Sequence, residues 1–270
     1  MDKMLSRIEG SIGYIIFNNP EKHNAVSLEM WDATDAILDE FESNPEIRVV
    51  VLTGAGGKSF VSGADISKFE KERGSAEATK HYNARIRAIY ERIDLFPKPT
   101  IAQVDGYCIG GGLNLAVCCD IRICSTKSKF AMPAAKLALG YPFPAIQRLI
   151  NAMGASNAKY LMFTAERIDA DTAYRMGFVQ SVHDETRLEQ EVAALADQIG
   201  SNAPLTIKAM KFIATQVLTD PENRDLGRCD ALVDACFDSE DYTEGRTAFM
   251  EKRVPQFKGC LLYTSPSPRD

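Results

Sequence analysis

The chain has few of the residues that mark several common functions. Its 270 residues include only three histidines, His23, His81 and His183, set far apart, so no metal site is expected. It has no excess of positive charge. With 31 Lys and Arg against 37 Asp and Glu, the net charge is −6, and no general field draws in nucleic acid or an anionic membrane. Neither partner is expected, and an anionic ligand must be held by local features such as helix N-termini. There is no long apolar run, and Met1 to Gly10 has neither a secretory nor a transit pattern. The seven cysteines form no C-x-x-C pair and are odd in number, which predicts reduced thiols and a cytoplasmic location. What remains is ordinary for a soluble globular protein, with 45% hydrophobic and 25% charged residues. The length allows one large domain, or a core with a smaller appendage.

The first half alternates apolar runs with helical patterns. Gly13 to Asn18 and Ile47 to Leu52 read as strands, with a helix from a Ser27 cap to about Ser43 between them. A polar helix covers about Ala76 to Asp94, and Pro97 and Pro99 stop it before the strand Thr100 to Val104. An apolar helix and the strand Ile121 to Cys124 follow. This alternation predicts an α/β fold with mostly parallel pairing. Beyond about Phe143 the pattern reads as helices only, near 144–152, 155–163, 169–176, 184–200, 204–218 and 226–251, with Asn202-Ala203-Pro204 as a boundary. Leu205, Ile207, Met210, Phe212, Ile213, Val217 and Leu218 occupy more than one face of the helix after Pro204, which predicts association with further copies.

Two segments carry chemistry. In Ser59 to Phe69, SFVSGADISKF, Gly63 allows a sharp turn that aims the Ala64 N–H into a cleft, and Asp65 can cap the turn. In Asp105 to Asp120, DGYCIGGGLNLAVCCD, three glycines open an apolar helix and expose backbone donors at its positive end. Close packing of helix on sheet explains the glycines equally well. The loop is neither a Walker A sequence nor the G-x-G-x-x-G dinucleotide pattern, which argues against a nucleotide-binding regulator. Taken together, two converging N–H groups suit the enolate of a thioester.

With the segment Asn19-Pro20-Glu21-Lys22-His23-Asn24-Ala25-Val26 and the stretch Asp238 to Gly259, these motifs are similar, in order, to the signature of the enoyl-CoA hydratase/isomerase (crotonase) family over residues 5–259. The resemblance implies a crotonase-like spiral of ββα units over residues 1–203. It implies a C-terminal helical trimerisation region over 204–259, assembled as homotrimers or hexamers. Residues 260–270 read as a disordered tail or cloning scar. The implied partner is an acyl-CoA thioester, with coenzyme A part of the substrate and no separate cofactor. The oxyanion hole falls on the N–H groups of Ala64 and Gly111. Coenzyme A lies near Lys22, His23 and Ala25, with Asp65 and Ile66 beside the acyl end. Phe249 and Lys252 match residues that reach its adenine, often from a neighbouring subunit.

The sequence departs from this pattern where family hydratases hold water between two glutamates. Asn114 and Ala134 stand at those positions, as substrate contacts that cannot move a proton. No Asp or Glu occurs in 107–119 or 125–145. Asp65 is the nearest carboxylate by motif, with turn capping as its other role. Tyr141 sits in a loop that the family places over the acyl group. A methylmalonyl-CoA decarboxylase-like branch resembles this chain in using such a tyrosine, but carries histidine where Ala64 stands. Tyr141 is either catalytic or a pocket wall. Hydration is therefore doubtful. A decarboxylase of a malonyl-CoA-type thioester and a non-catalytic acyl-CoA-binding paralogue are the alternatives.

Overall fold

The computed structural model describes residues 2–260. The tail expectation, from Leu261 on, lies outside the described residues. The chain opens with an antiparallel pair, β1 (Met4–Glu9) and β2 (Ile12–Phe17). α1 (Leu28–Ser43) follows, and the Ser27 side chain caps it by accepting from the Met30 N–H. Each later turn of chain then has the same form. β3 (Val49–Gly54) and β4 (Ser59–Val61) precede α2 (Phe69–Glu72) and α3 (Ala76–Asp94). β5 (Thr100–Val104) and β6 (Tyr107–Ile109) precede α4 (Gly111–Cys118). β7 (Ile121–Ser125) and β8 (Lys129–Ala131) precede α5 (Phe143–Met153) and α6 (Ala155–Thr164).

The first strand of each turn joins a six-stranded sheet ordered β1-β2-β3-β5-β7-β10, and the second joins a four-stranded sheet ordered β4-β6-β8-β9. The result is the expected α/β spiral. β9 (Ile168–Asp169), α7 (Ala170–Arg175) and β10 (Ser181–His183) complete the two sheets, and α8 (Leu188–Gly200) covers the larger one. The period of two along each strand divides the core. Ile12, Tyr14, Val49, Val51, Ile101 and Ile123 face Leu188, Val192 and Ala196 of α8. Ile15, Phe17, Val50, Leu52, Ala102, Val104 and Cys124 face the main core with α1, α3 and α4.

Between α1 and α3, Arg85 reaches Asp32 at 2.7 Å and Asp35 at 2.8 Å, while Arg92 reaches Asp35 and Asp39. Part-exposed pairs of this kind add little stability singly, but together they fix α3 along α1. The last three helices, α9 (Pro204–Val217), α10 (Leu226–Phe237) and α11 (Glu240–Glu251), bury little by themselves. They flank an apolar groove of about 630 Å³ lined by Leu205, Met210, Ile213, Val233, Phe237 and Phe249.

Three expectations need correction. The chain beyond Phe143 is not purely helical, because Ile168–Asp169 pairs with β8 and Ser181–His183 with β7. These strands are two and three residues long, too short to show a period. The single helix expected over 226–251 is two, because the Ser239 side chain accepts from the Tyr242 N–H and starts a new one. β1 escaped the sequence reading because only Met4 of its six residues is buried.

α4 lies so close to β4 that a Cβ on Gly112 would strike the Val61 carbonyl, 2.7 Å from its carbon and 3.0 Å from the Val61 Cβ. Gly112→Ala is therefore expected to destabilise the fold by about 1–3 kcal/mol or more, read as a lower urea midpoint. Gly140→Ala, with nothing within 4 Å of the added carbon, should leave the midpoint near wild type.

Candidate active site

Two strand-to-helix turns meet at one end of the small sheet. The first follows β4. Gly63 has φ of +112°, a conformation open to glycine, and Ala64 pairs with Val26 as an isolated parallel bridge. Val26 N–H donates to the Gly63 carbonyl at 2.9 Å, and Asp65 N–H donates to the Val26 carbonyl at 2.9 Å. A parallel bridge uses the groups flanking Ala64 and turns the Ala64 N–H away from Val26. Among the described residues, no backbone carbonyl accepts from it.

The second turn follows β6. Gly110, with φ of +56°, donates its N–H to the Ala131 carbonyl at 2.9 Å and accepts from the Asn114 N–H at 3.1 Å. Gly111 is the first residue of α4, so its N–H has no intrahelical acceptor. No backbone carbonyl among the described residues takes it. A Cβ built on Gly111 would stand 3.5 Å from the Gly63 Cα and 3.8 Å from the Gly63 carbonyl carbon, the atom bonded to the Ala64 nitrogen. The two unpaired amides are thus neighbours, at the positive end of a buried helix.

Around them lie phenols and an amide. The Tyr90 hydroxyl donates to the Gly111 carbonyl at 3.0 Å, and Trp31 packs edge-on against its ring at 5.2 Å between centroids. Burial first, and then nearby Tyr141, push the Tyr90 phenol well above its ordinary value. Asn114 is buried one turn into α4, and its Oδ1 is buried without a partner. The Tyr141 hydroxyl is 4.0 Å from where a Gly110 Cβ would stand, and Pro133 Cδ is 3.9 Å from it. Burial pushes the Tyr141 phenol up to about 12. Ala134 follows Pro133 in a short 3-10 turn and is half-buried. Ala64, Gly111, Asn114, Ala134 and Tyr141 therefore gather about one centre.

Lys22, His23, Ala25, Asp65 and Ile66 form its rim. The Lys22 ammonium reaches both Asp65 oxygens at 3.0 and 3.2 Å and the Ser67 hydroxyl at 2.6 Å. Burial alone would raise the Asp65 carboxyl. Hydrogen bonds from the Ser67 hydroxyl and Lys22, with the Ser67 N–H, outweigh it and hold the group below its ordinary value. Asp65 is thus an ionised cap of its turn, committed to Ser67 and Lys22. Exposed His23 lies edge-on to Tyr107, and Ile66 is largely exposed. The loop carrying Ala25 is locked by Asn24, whose side chain accepts from the Asn19 N–H at 2.8 Å and donates to the Ala55 and Ser59 carbonyls at 3.0 and 2.7 Å. Phe249 and Lys252 stand apart at the end of α11, which packs mainly on α10, and Phe249 is 82% exposed.

Sequence reasoning missed Tyr90 and the locking role of Asn24. Tyr90 sits on the buried stripe of α3 with Tyr82, Ile89 and Ile93, a position that reads as core. The structure shows Asn24 at a φ of +55°, a conformation that asparagine tolerates better than most residues, and the sequence carries no mark of it.

The family model described as enoyl-CoA hydratase/isomerase matches residues 7–260. The chain is 35% identical over 253 residues to a short-chain-enoyl-CoA hydratase of Clostridium acetobutylicum, covering 94% of this chain and 96% of that protein. It is 32% identical over 262 residues to a mitochondrial Δ(3,5)-Δ(2,4)-dienoyl-CoA isomerase of Dictyostelium discoideum, covering 93% and 88%. The crystal structure of an enoyl-CoA hydratase/carnithine racemase from Magnetospirillum magneticum superposes with a TM-score of 0.89 at 33% identity, over 96% of this chain and 97% of that one. Paired backbone donors on a two-sheet spiral and a match across nearly the whole chain place this protein in the enoyl-CoA hydratase/isomerase family, as an enzyme acting on acyl-CoA.

Proposed function

We propose that the chain holds the carbonyl oxygen of a CoA thioester between the Ala64 and Gly111 amides and stabilises the enolate formed from it. The observation that carries this reading is the pair of neighbouring N–H groups that no backbone carbonyl among the described residues accepts. Preorganised donors of this kind gain strength as negative charge develops on the oxygen. Lys22, His23 and Ala25 line the approach of coenzyme A. The exposed apolar groove of α9–α11 supports a homotrimer or hexamer, in which Phe249 and Lys252 serve the adenine end of a neighbour's ligand.

Hydration fits the centre poorly. Asn114 and Ala134 stand where a water would need a base and an acid, and Asp65 is bound to Lys22 and Ser67. A second reading is favoured by Tyr141, whose raised value keeps it a donor. In the loss of CO₂ from a malonyl-type thioester, the bond from Cα to the carboxylate breaks and its electron pair enters the thioester as an enolate. Cα then takes a proton from the Tyr141 hydroxyl, which water reprotonates. This step needs the two amides and a donor but no carboxylate base.

Three results test these readings. The carbonyl stretch of a bound thioester should fall below its value in water, and Gly111→Pro, which deletes one donor and disturbs the turn, should move it back. A bound ester with an unshifted stretch in wild type would refute the oxyanion hole and favour a binding paralogue.

Crotonyl-CoA hydration, followed by loss of enoyl absorbance, should be weak. Asn114→Glu and Ala134→Glu should restore little singly and more together, because both groups must act on one water. A wild-type kcat of about 10 s⁻¹ or more would show that another residue supplies the base.

Release of CO₂ from methylmalonyl-CoA should be cut by Tyr141→Phe. In wild type, a donor with a value of about 12 stays protonated through pH 10, so no falling limb from Tyr141 should appear near the ordinary tyrosine value. A limb centred near 10 that disappears in Tyr141→Phe would contradict the burial of this hydroxyl.

A further inference from the structure

The segment after the Ala64 turn holds an arginine that enolate chemistry does not use. The Arg73 guanidinium carbon lies 4.1 Å from the Phe69 ring centroid and 4.0 Å from that of Tyr82, so the cation sits in the angle between two aromatic rings that meet edge to face. Among the described residues no carboxylate forms an ion pair with it. Its Nε is buried without an acceptor. Beside it the Tyr82 side chain is fully buried, and the hydroxyl has no partner either. Burial raises the Tyr82 phenol against the opposing pull of Arg73, so the hydroxyl stays a donor.

Two buried donor atoms without an acceptor, the Arg73 Nε on a half-buried guanidinium and the Tyr82 hydroxyl, are thus held together. Buried donors are ordinarily satisfied. The acidic groups nearby do not fill the gap. Glu72 Oε1 accepts from the Leu28 N–H at 3.1 Å at the start of α1, and its Oε2 is unpaired. Asp65 is committed to Lys22 and Ser67.

The location connects this pair to the proposed centre. Tyr82 and Tyr90 share the buried stripe of α3, and the Tyr90 hydroxyl holds the Gly111 carbonyl. Eight residues separate them, or roughly 12 Å at the usual helical rise. A long acyl chain with its carbonyl at the Gly111 turn can span that distance.

We infer that Arg73 and Tyr82 form a subsite for a carboxylate at the far end of the acyl group, so that the substrate class is the CoA monothioester of a dicarboxylic acid. This rests on the acyl-CoA reading above and narrows it. A guanidinium fork matches a carboxylate in shape and charge, and the Tyr82 hydroxyl adds a donor. The carboxylate held here is retained through the reaction, because pairing with Arg73 stabilises it in the ground state. It is distinct from a carboxylate on Cα that would leave as CO₂.

The test compares binding of matched esters by calorimetry: adipyl- with hexanoyl-CoA, suberyl- with octanoyl-CoA, and sebacyl- with decanoyl-CoA. At one or more lengths the charged ester should bind wild type roughly tenfold more tightly than its neutral partner. Arg73→Met should abolish that preference, and Tyr82→Phe should reduce it, with affinity for the neutral esters unchanged. Equal or weaker binding of the charged ester at every length, or a preference that survives Arg73→Met, would overturn the inference. The wild-type comparison holds even if a variant folds poorly. Neutral esters that bind without a carboxylate preference sink this inference alone. If none of the six binds, the acyl-CoA reading falls and takes this subsite with it.

Discussion

The contact between Gly112 and Val61 is the constraint on which the site depends. α4 is laid against β4 with no side chain between them, closer than any Cβ would permit. That approach puts the start of α4 beside the chain leaving β4, and so puts Gly111 beside Gly63 and Ala64. From Gly112 to Cys118 every residue of α4 is buried, and a helix apolar all round is stable only inside a protein. Its positive end is therefore presented to the cleft from within the core, where a dipole is screened less than at a surface. Tyr90 and Asn24 extend the same arrangement outward. One holds the Gly111 carbonyl, and the other holds the loop that bridges Val26 to Ala64.

The centre is well supplied with donors and poor in bases. Moving a phenol from about 10 to about 12, as burial does for Tyr141, favours its neutral form by about 3 kcal/mol. Asp65 is pulled the other way by Ser67 and Lys22 and is tied to both. A group held neutral can give a proton, and a carboxylate already bonded on both oxygens has little capacity to take one. This asymmetry agrees with the enolate chemistry proposed above, in which charge is made by breaking a bond to carbon, better than with addition of water, where a positioned base contributes a factor of about 10² to 10⁴.

The sequence was most legible where elements are long. The helices over Leu28–Ser43 and Ala76–Asp94, and the strand Thr100–Val104, could be read from their caps, stops and periods. The small sheet was only partly legible: the apolar run before the Gly63 turn reads as a strand, but β6 and β8 have three residues each, and three residues carry no period. Their pairing is set by the larger sheet and by glycine turns. The two donor turns could be found because backbone donors need glycine nearby, and glycine is visible in a sequence. Tyr90, Tyr82 and Arg73 could not. On α3 a tyrosine facing inward has the same pattern whether its hydroxyl is satisfied, unpaired or holding a peptide. Arg73 reads as surface until Phe69 and Tyr82 are seen beside it.

The scaffold also shows how a donor pair can be held without help from a carboxylate. What brings the two turns together is backbone and packing: Gly112 on Val61, Gly110 N–H on the Ala131 carbonyl, and the Val26 bridge to Ala64. Asn114 takes part through its own N–H, which any residue but proline would offer, and its side-chain oxygen is unpaired. Ala134 lies in a turn closed by a backbone bond from the Leu139 N–H to its carbonyl, at 3.0 Å. The contacts that fix the donor pair itself are made by backbone groups and glycine packing. On the reading proposed above, the donor pair is separable in structure from groups that move protons, so one fold can carry different chemistries. The positions that gather about the pair here offer amides, phenols and small apolar side chains.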